Sequence, residues 1–213
     1  MPHIAAEENW TTAFTLVNKS AASAQARLNL FDDLGNLLAL PLTFPQQPPA
    51  AGPLLAASFD RTLAANASLI VNTAGPQTPP VLTGSAQLAA AGAVDGFAIF
   101  SFLPTKQEAV VPLETRNASS YLLAFDNTNS VVLGVALENV SAQAANVQVV
   151  IRDDAGVQTE AGSIALPGSG HTSFVLSDKF PSTANKRGTI QFGTPSGGRI
   201  SALGVRFSPP GIL

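Results

Sequence analysis

A stretch of eighteen residues occurs twice in this chain, and no other feature constrains the possible folds as strongly. The first copy, Asn18–Gly35, has the sequence NKSAASAQARLNLFDDLG, and the second, Asn139–Gly156, has the sequence NVSAQAANVQVVIRDDAG. The copies lie 121 positions apart, and the alignment extends back to Thr12 without a gap. Self-similarity at one long period indicates a chain built from repeated structural units.

The apolar residues of the repeat alternate with polar ones. Apolar side chains stand at 26, 28 and 30 in the first copy and at 147, 149 and 151 in the second. This two-residue period is typical of a strand with one buried face. The similarity resumes near the end of each unit, where Phe100 and Phe102 match Val205 and Phe207. We therefore predict two units of similar structure.

The spacing of strands and turns predicts the architecture. Gly, Pro, Asn and Asp separate short runs of β-forming residues, about seven per unit, as in immunoglobulin-like sandwiches. We predict an all-β chain of two tandem Ig-like antiparallel β-sandwich domains, 1–104 and 105–213, arising from an internal duplication. Glu108–Glu114, EAVVPLE, belongs to either unit, and Pro112 indicates that it lies at a sheet edge.

Local patterns give finer predictions for the first unit. Trp10–Asn18, Ala24–Phe31 and Leu37–Thr43 are predicted to form an antiparallel meander. Ser58–Leu63 is predicted to hold a helical turn. Propensity favours a helix over Ala86–Ala93, but the repeat matches this stretch to a turn-like segment, so we predict the strand Leu82–Ala89 there.

Two further segments have distinctive sequences. The first unit is longer than the second by about 18 residues around a Pro-rich stretch, so we predict a loop insertion over 44–62. Such a loop either carries function on a rigid scaffold or is a tolerated surface insertion. In the second unit, Ser177–Phe180 is predicted to form a short helical turn with Ser177 as its N-cap.

Composition excludes several classes of function. Charged residues make up 12% of the 213 residues, against a usual level of about 25%. The net charge is −3 and the chain has no basic block, so nucleic acid is not an expected partner. No apolar run reaches the roughly 18 residues of a membrane span. Cysteine is absent, which excludes disulfides and thiolate chemistry. We predict no cofactor.

Several segments together resemble a known kind of protein. WTTAFTLVN, LNLFDDLGN, LPGSGHTSFVLSDKFP, RGTIQF and ISALGVRF are similar to tandem β-sandwich repeats of secreted soil-bacterial proteins of unassigned function. The resemblance covers both units. It implies export and a surface or matrix setting, and it brings no catalytic residues with it.

The paired acids Asp32, Asp33, Asp153 and Asp154 are the candidate metal ligands. Ca²⁺ prefers six to eight oxygen ligands, and each pair supplies two carboxylates. Asp beside Gly is also common in hairpin turns, and the turn interpretation is favoured here. We therefore predict no metal site, with these four residues as weak candidates.

Catalytic chemistry has few candidates. The histidines are His3 and His171, and His171 lies in a Gly-rich turn with Asp178 nearby in sequence and no nucleophile elbow. A glycosidase requires two carboxylates across a cleft, and spacing does not exclude one. The available glutamates are Glu7, Glu8, Glu108, Glu114, Glu138 and Glu160. We predict no catalytic residue and no enzymatic activity.

Trp10 and Tyr121 are the candidate ligand-binding aromatics, each the only one of its kind in the chain. Exposed aromatic rings can stack on sugars, but packing in the core at the start of a strand is favoured. The ligand itself is not identified by the sequence.

These observations favour a non-catalytic, exported structural or adhesive module of a larger surface or matrix protein. Its expected partners are a protein or a polysaccharide, and it is expected to be secreted or at the cell surface. The alternatives are a carbohydrate-binding module and, third, a glycoside-active or other hydrolytic enzyme. The second unit has no counterpart of Glu108–Glu114 after Phe207, so we expect a chain cut from a longer one. One terminal sheet edge is then open, or is paired with another molecule through self-association.

Overall fold

The computed structural model describes residues 1–47, 52–74, 79–116, 118–195, 197–208 and 211–212. Strands dominate the described residues, and every strand pair in the four sheets is antiparallel, so the predicted all-β class is confirmed. Among these residues, no helix is long and apolar enough to cross a bilayer.

The chain divides into two compact units. The first comprises Met1, His3–Asp32 and Asn36–Glu114, and the second comprises Pro2, Asp33–Gly35 and Thr115–Leu213. That the units arose by duplication remains a prediction.

The described residues of the first unit form ten strands in two sheets, ordered β1-β8-β3-β6 and β10-β9-β2-β7-β4-β5. On β2, Phe14 and Leu16 are fully buried while Thr15 and Val17 are half-buried, as a two-residue period requires. Leu16 packs in one cluster with Ala26 and Leu63 of the other sheet, so the sheets pack face to face. The strands are β1 Ile4–Ala6, β2 Trp10–Asn18, β3 Ala24–Phe31, β4 Leu40–Thr43, β5 Leu54–Ala56, β6 Ser58–Leu63, β7 Ser68–Thr73, β8 Leu82–Ala91, β9 Val94–Phe102 and β10 Gln107–Pro112.

In the second unit, eight strands in two sheets are seen among the described residues, ordered β11-β16-β13-β14 and β15-β12-β17-β18. Its core joins Val149 and Phe192 of the first sheet to Val135 and Leu137 of the second. The elements are β11 Ser120–Asp126, β12 Val132–Asn139, β13 Ala145–Asp153, β14 Gln158–Leu166, β15 His171–Val175, α1 Leu176–Lys179, a 3₁₀ turn Pro181–Thr183, β16 Arg187–Gly193, β17 Ile200–Ser208 and β18 Gly211–Ile212.

The predicted meander at the start of the first unit is wrong. β2 pairs with β7 and β9, whereas β3 lies in the other sheet between β6 and β8. Alternation identifies a strand and its buried face, but it does not identify the neighbouring strand. Ser58–Leu63 is also a strand, β6, and not a helical turn, because Phe59 and Leu63 are buried and the ladder to β3 includes all six residues.

The segment predicted as a loop insertion, 44–62, contains two strands. β5 pairs with β4 at the end of the six-stranded sheet, and β6 pairs with β3. Residues 48–51 lie outside the described residues. The helical turn after β15 is present, but its N-cap is Val175 without a side-chain hydrogen bond, so the predicted cap at Ser177 is wrong.

The predicted match between the last strands of the units is displaced by one residue. β2 pairs Asn18 with Val94, and β12 pairs Asn139 with Ile200. Counting six residues along each strand therefore places Phe100 at the position of Arg206, and not of Val205. The sequence alignment matched apolar residues with apolar residues. In the structure these residues lie on opposite faces of the two strands.

Two buried asparagines hold equivalent turns in the two units. Asn18 Nδ2 donates to the carbonyl oxygens of Ala22 and Ala64 at 2.8 and 2.9 Å, and Ser20 N donates to its Oδ1 at 3.0 Å. A third carbonyl, that of Leu63, lies at 3.1 Å. A buried amide with its hydrogen bonds satisfied ties the end of one strand to two loops.

Asn139 makes the same kinds of bonds. Its Nδ2 donates to Gln143 O at 2.7 Å and to Pro167 O at 2.9 Å, and its Oδ1 accepts from Ser141 N at 3.1 Å. Both asparagines are fully buried. These positions are 121 residues apart, so the repeat in the sequence corresponds to the same local hydrogen bonding.

Candidate functional site

The last long strand of the second unit has one edge that the described residues leave largely uncovered. β17 pairs with β12 on one side, from Phe207 opposite Val132 to Ile200 opposite Asn139. On the other side, β18 pairs with Phe207 and Ser208. Within the described part of the chain, residues 201–206 of β17 therefore pair with no strand on that side.

The strand at the same place in the first unit is paired on both sides. β9 lies beside β2, and β10 pairs with it from Gln107 opposite Phe102 to Pro112 opposite Phe97. β10 ends the order of its sheet, so the edge position that Pro112 predicted is confirmed. Because it pairs with β9, the strand left unassigned by the sequence belongs to the first unit.

The direction of the free backbone groups on β17 follows from one hydrogen bond. Ile200 N donates to Ala118 O at 3.0 Å, on the side away from β12. Backbone groups alternate in direction along an antiparallel strand. The N–H and C=O groups of Ala202, Gly204 and Arg206 therefore point to the same uncovered side. We call these three residues and the two between them the β17 window, residues 202–206.

The β17 window has few of the features that usually protect a sheet edge. The window contains no proline, its ladder to β12 runs without a register shift, and its one charge is Arg206. A Cβ on Gly204 would meet the Leu133 side chain at 3.3 Å, so this residue faces the core. Leu203 and Val205 then lie on the outer face, where both are half-buried.

Other edges of the two units carry such features. The ladder between β13 and β14 shifts register between Ile151 and Arg152, which marks a bulge. β14 also exposes the polar residues Gln158 and Thr159. On β6, exposed Asp60 pairs with Arg27 at 3.4 Å. The β17 window therefore differs from these edges in both regularity and charge.

The aspartates proposed as weak metal candidates lie in turns. Asp32 Oδ1 accepts a hydrogen bond from Asn36 N at 2.8 Å, and Asp153 Oδ1 accepts from Val157 N at 2.8 Å and Ala155 N at 3.0 Å. Such carboxylates replace missing backbone partners in the turn. Gly35 and Gly156 both have φ of 83°, which glycine adopts without strain.

The second aspartate of each pair, Asp33 or Asp154, is exposed. Among the described residues there is no group of three or more His, Asp or Glu side chains placed to hold a metal ion. The prediction that no metal is required remains to be tested by ligand addition.

Two exposed ion pairs lower the pKa of a carboxyl group, one in each unit. The hydrogen bonds that Asp126 accepts from the Thr128 hydroxyl and from Arg187 at 3.0 Å, together with the Thr128 amide, lower its pKa to about 2. The hydrogen bond from Lys19 at 2.6 Å and the Gly96 amide lower the pKa of Asp95. Both pairs are exposed and stabilise strand ends weakly.

The two aromatic candidates for ligand binding pack against protein. Tyr121 belongs to the core of the second unit at 7% exposure, and the Arg116 guanidinium lies 5.4 Å from its ring centroid. Trp10 is half-buried, and its ring lies 4.9 Å from that of Phe102, its partner across the β2–β9 ladder. Stacking on a flat sugar face requires rings open to solvent, and neither arrangement offers one.

His171 is buried and lies on β15 opposite buried Glu138 on β12. Glu138 in turn lies opposite Ser201, which is also buried. A serine, a glutamate and a histidine thus share one row of the sheet, but the histidine is not between the other two, as a nucleophile–base–acid relay requires. His3 lies in the first unit, with its ring 5.5 Å from that of Phe100.

Comparison with known proteins adds little to this geometry. No protein-family model matches the chain, and no curated protein matches it. One solved structure with some similarity is an isomalto-dextranase from Arthrobacter globiformis T6 in complex with panose, at 12% identity and a TM-score of 0.28. The similarity covers 95% of this chain, which spans about a third of the enzyme's length, 35%. At this TM-score the likeness carries no argument about function.

Proposed function

We propose that the chain is a non-catalytic, exported structural module that binds its partner by strand addition at the β17 window. The observation that supports this is the difference between two strands at the same place in their units. β9 has its outer side paired along Phe97–Phe102, whereas β17 offers the N–H and C=O groups of Ala202, Gly204 and Arg206. An added strand can pair with these groups through main-chain hydrogen bonds.

The outer face of the window supports the same function. Leu203 and Val205 are half-buried and provide apolar contact for a strand laid beside them. Main-chain pairing supplies affinity in strand addition, and alternate side chains supply selectivity. Strand addition is preferred over sugar binding, because Tyr121 is buried and Trp10 packs against Phe102. Export and a surface or matrix setting follow from the resemblance alone and remain part of the proposal.

The test adds a strand within the same chain. β18 places Ile212 opposite Phe207, so residues added after Leu213 in the same register continue along the window. We would extend the full chain by the five residues of Val110–Glu114, which are the last three residues of β10 and the two that follow it. The expected result is slower amide exchange at Ala202, Gly204 and Arg206 and a melting temperature higher by several degrees.

The matched control is an extension of equal length made of Gly and Ser, which has low β propensity. It should leave both measurements unchanged. If the native-like extension also leaves exchange at the window unchanged, the window does not accept a strand and the proposed function is wrong.

A further inference from the structure

We propose that the strand which binds the β17 window is a short extended peptide from another protein, with a bulky apolar residue opposite Gly204 and an acidic residue opposite Arg206. The peptide runs antiparallel to β17, so the acidic residue comes first and one residue separates the two. This inference rests on the proposed function, since it names the partner of the same edge.

The neighbours of the window limit the length of the peptide. At one end, Ile212 of β18 lies opposite Phe207, and at the other end Ile200 N donates to Ala118 O. Residues 202–206 lie between these neighbours, so a strand of five residues fits beside them without meeting β18. A longer strand in the plane of the sheet would meet β18, which favours a short peptide as the partner.

The first unit shows which side chain of an edge strand enters the core. Leu113 N donates to Gly96 O at 2.9 Å, so the odd residues of β10 point their backbone groups toward β9. Among them, Val111 lies opposite Ala98, which lies opposite Phe14 of β2. Directly opposite residues share one face of a sheet, and all three side chains are buried. Val111 therefore completes the core from the edge strand.

Gly204 is the counterpart of Ala98 in the second unit. The same count along the two strands that places Phe100 at the position of Arg206 places Ala98 at that of Gly204. Gly204 lies opposite Val135, a core residue, so it faces the core, yet it is exposed. An added strand would place one side chain beside Gly204 on this face, as β10 does in the first unit.

The glycine leaves room for a larger side chain than the valine of the first unit. A Cβ on Gly204 would meet the side chains of Leu133 at 3.3 Å and Leu123 at 3.4 Å. Leu133 is buried, whereas Leu123 packs against the core and is half-buried. We call the space beside these three residues the Gly204 pocket. A Leu or Phe side chain there would remove apolar surface from water, and aromatic residues compensate for glycines at sheet edges.

Arg206 supplies a charge that an acidic residue would complement. Its counterpart in the first unit is the buried Phe100, whereas Arg206 is exposed on the same face as Gly204. No acidic side chain in the described part of the chain forms an ion pair with Arg206. Opposite charges on directly opposite residues stabilise an antiparallel pair. The peptide is therefore expected to carry Asp or Glu two residues before its bulky apolar residue.

The first experiment varies the residue opposite Gly204 in the extended chain. The register of β18 brings the second of the five added residues, a copy of Val111, opposite Gly204. Replacing this second valine by Ala should lower the melting temperature of the extended chain by at least about 3 °C, because apolar contact in the Gly204 pocket is lost. Replacing it by Phe should raise the melting temperature by a similar amount.

The first added valine, a copy of Val110, is the matched control. In the same register it lies opposite Val205, on the outer face of the sheet. Its replacement by Ala should lower the melting temperature by no more than about half as much as the same change at the second valine. Equal effects at the two valines would overturn the Gly204 pocket, even where the extension still slows amide exchange at the window.

The second experiment supplies the strand as a separate molecule. The probe is the synthetic peptide Glu-Val-Phe-Thr-Leu, acetylated and amidated at its ends. At millimolar concentration it should slow amide exchange at Ala202, Gly204 and Arg206 of the full chain. Replacing its Phe by Ala should weaken binding at least about fivefold. Replacing its Glu by Lys should weaken binding about two- to fivefold, and Arg206→Glu should reverse this preference.

The outcomes distinguish this inference from the proposed function. If the extension leaves exchange at the window unchanged, strand addition itself is wrong. If the extension slows exchange but no peptide does so at millimolar concentration, strand addition stands and a separate peptide is not the partner. Equal binding of the Phe and Ala peptides would also overturn this inference. Protection that rises with protein concentration in the absence of peptide would identify a second copy of the chain as the partner instead.

Discussion

β9 and β17 each lie next to the last strand of their sheet, yet β9 is paired along its outer side from Phe97 to Phe102, whereas the described residues pair β17 on that side only at Phe207 and Ser208. Each pairs with the strand that ends in a buried asparagine, Asn18 or Asn139. After β9 the chain returns as the six-residue strand β10, whereas after β17 the described residues hold the two-residue strand β18. The difference shows that the interior of a sandwich can be kept while the segment that follows it decides which backbone groups stay available for binding.

The two buried asparagines are expected to give the largest effects. Asn18→Ala and Asn139→Ala each leave part-buried carbonyl groups without a donor and remove a fully buried amide, which should lower the free energy of unfolding by about 2–4 kcal/mol. Asn18 contacts one more carbonyl, so its loss should cost at least as much. Urea unfolding measures both, with Trp10 fluorescence reporting on the first unit.

Asn146→Ala is the control for this pair, because Asn146 is an exposed residue of β13. It should change the free energy of unfolding by less than about 0.5 kcal/mol. If Asn139→Ala changes the free energy of unfolding as little as Asn146→Ala does, the hydrogen bonds of Asn139 do not contribute to stability, and this prediction is wrong.

The pairing of β10 with β9 is expected to give the next largest effect. Odd residues of β10 point their N–H groups toward β9, so Ala109→Pro removes a ladder hydrogen bond and should cost about 2 kcal/mol. The N–H of Val110 points away from β9, as does the ring nitrogen of native Pro112. Val110→Pro should therefore cost less than about 1 kcal/mol. Amide exchange at Phe100 should quicken in the first variant and stay unchanged in the second. Equal costs for the two variants would contradict the assigned alternation.

A smaller effect is expected at the hairpin of the second unit. Asp153→Ala removes the acceptor for two backbone N–H groups and should lower stability by about 1 kcal/mol. Asp154→Ala should have no measurable effect, because that side chain is exposed. Millimolar Ca²⁺ should not change the melting temperature of either variant or of the wild type. A rise of several degrees with Ca²⁺ that Asp153→Ala abolishes would identify a metal site.

The smallest effect is expected from the exposed ion pairs, and it depends on pH. A carboxyl group whose pKa is lowered on folding stabilises the folded state above its unfolded pKa of about 3.9, and this contribution is lost as pH falls through the folded pKa. For Asp126, with a pKa of about 2, the loss occurs between about pH 4 and pH 2. Asp126→Asn should therefore melt slightly below the wild type at pH 6, and the two should converge near pH 2.

Asp95→Asn should behave in the same direction in the first unit, because the pKa of Asp95 is also lowered. Thermal unfolding at pH 6, 4 and 2 measures both variants. A gap between Asp126→Asn and the wild type that stays constant down to pH 2 would contradict the assigned cause.

Much of the strand content was predictable from residue patterns. Alternation identified the strand Trp10–Asn18, and the repeat correctly favoured a strand over Leu82–Ala89, where helix propensity is high and β8 extends to Ala91. Pro112 correctly indicated an edge strand. The failures, at Ser58–Leu63 and in the meander, concern segments whose structure or neighbours depend on a distant partner strand.

The candidate site was predictable only in outline. The residues on the uncovered side of β17 follow only from the hydrogen bond of Ile200 with Ala118. The match of Phe100 with Val205 was one residue off, which would have exchanged the two faces of β17.

The sequence by itself determined the β class, the buried faces of β2, β3 and β13, and the turns at Asp32 and Asp153, because these depend on side-chain period and on local hydrogen bonding. The tertiary structure decided which strands are neighbours, which sheet each strand joins, and which side of β17 remains uncovered. Those choices depend on pairing between residues far apart in the chain, where many partners satisfy the same alternating pattern and only the packing of the whole unit selects one.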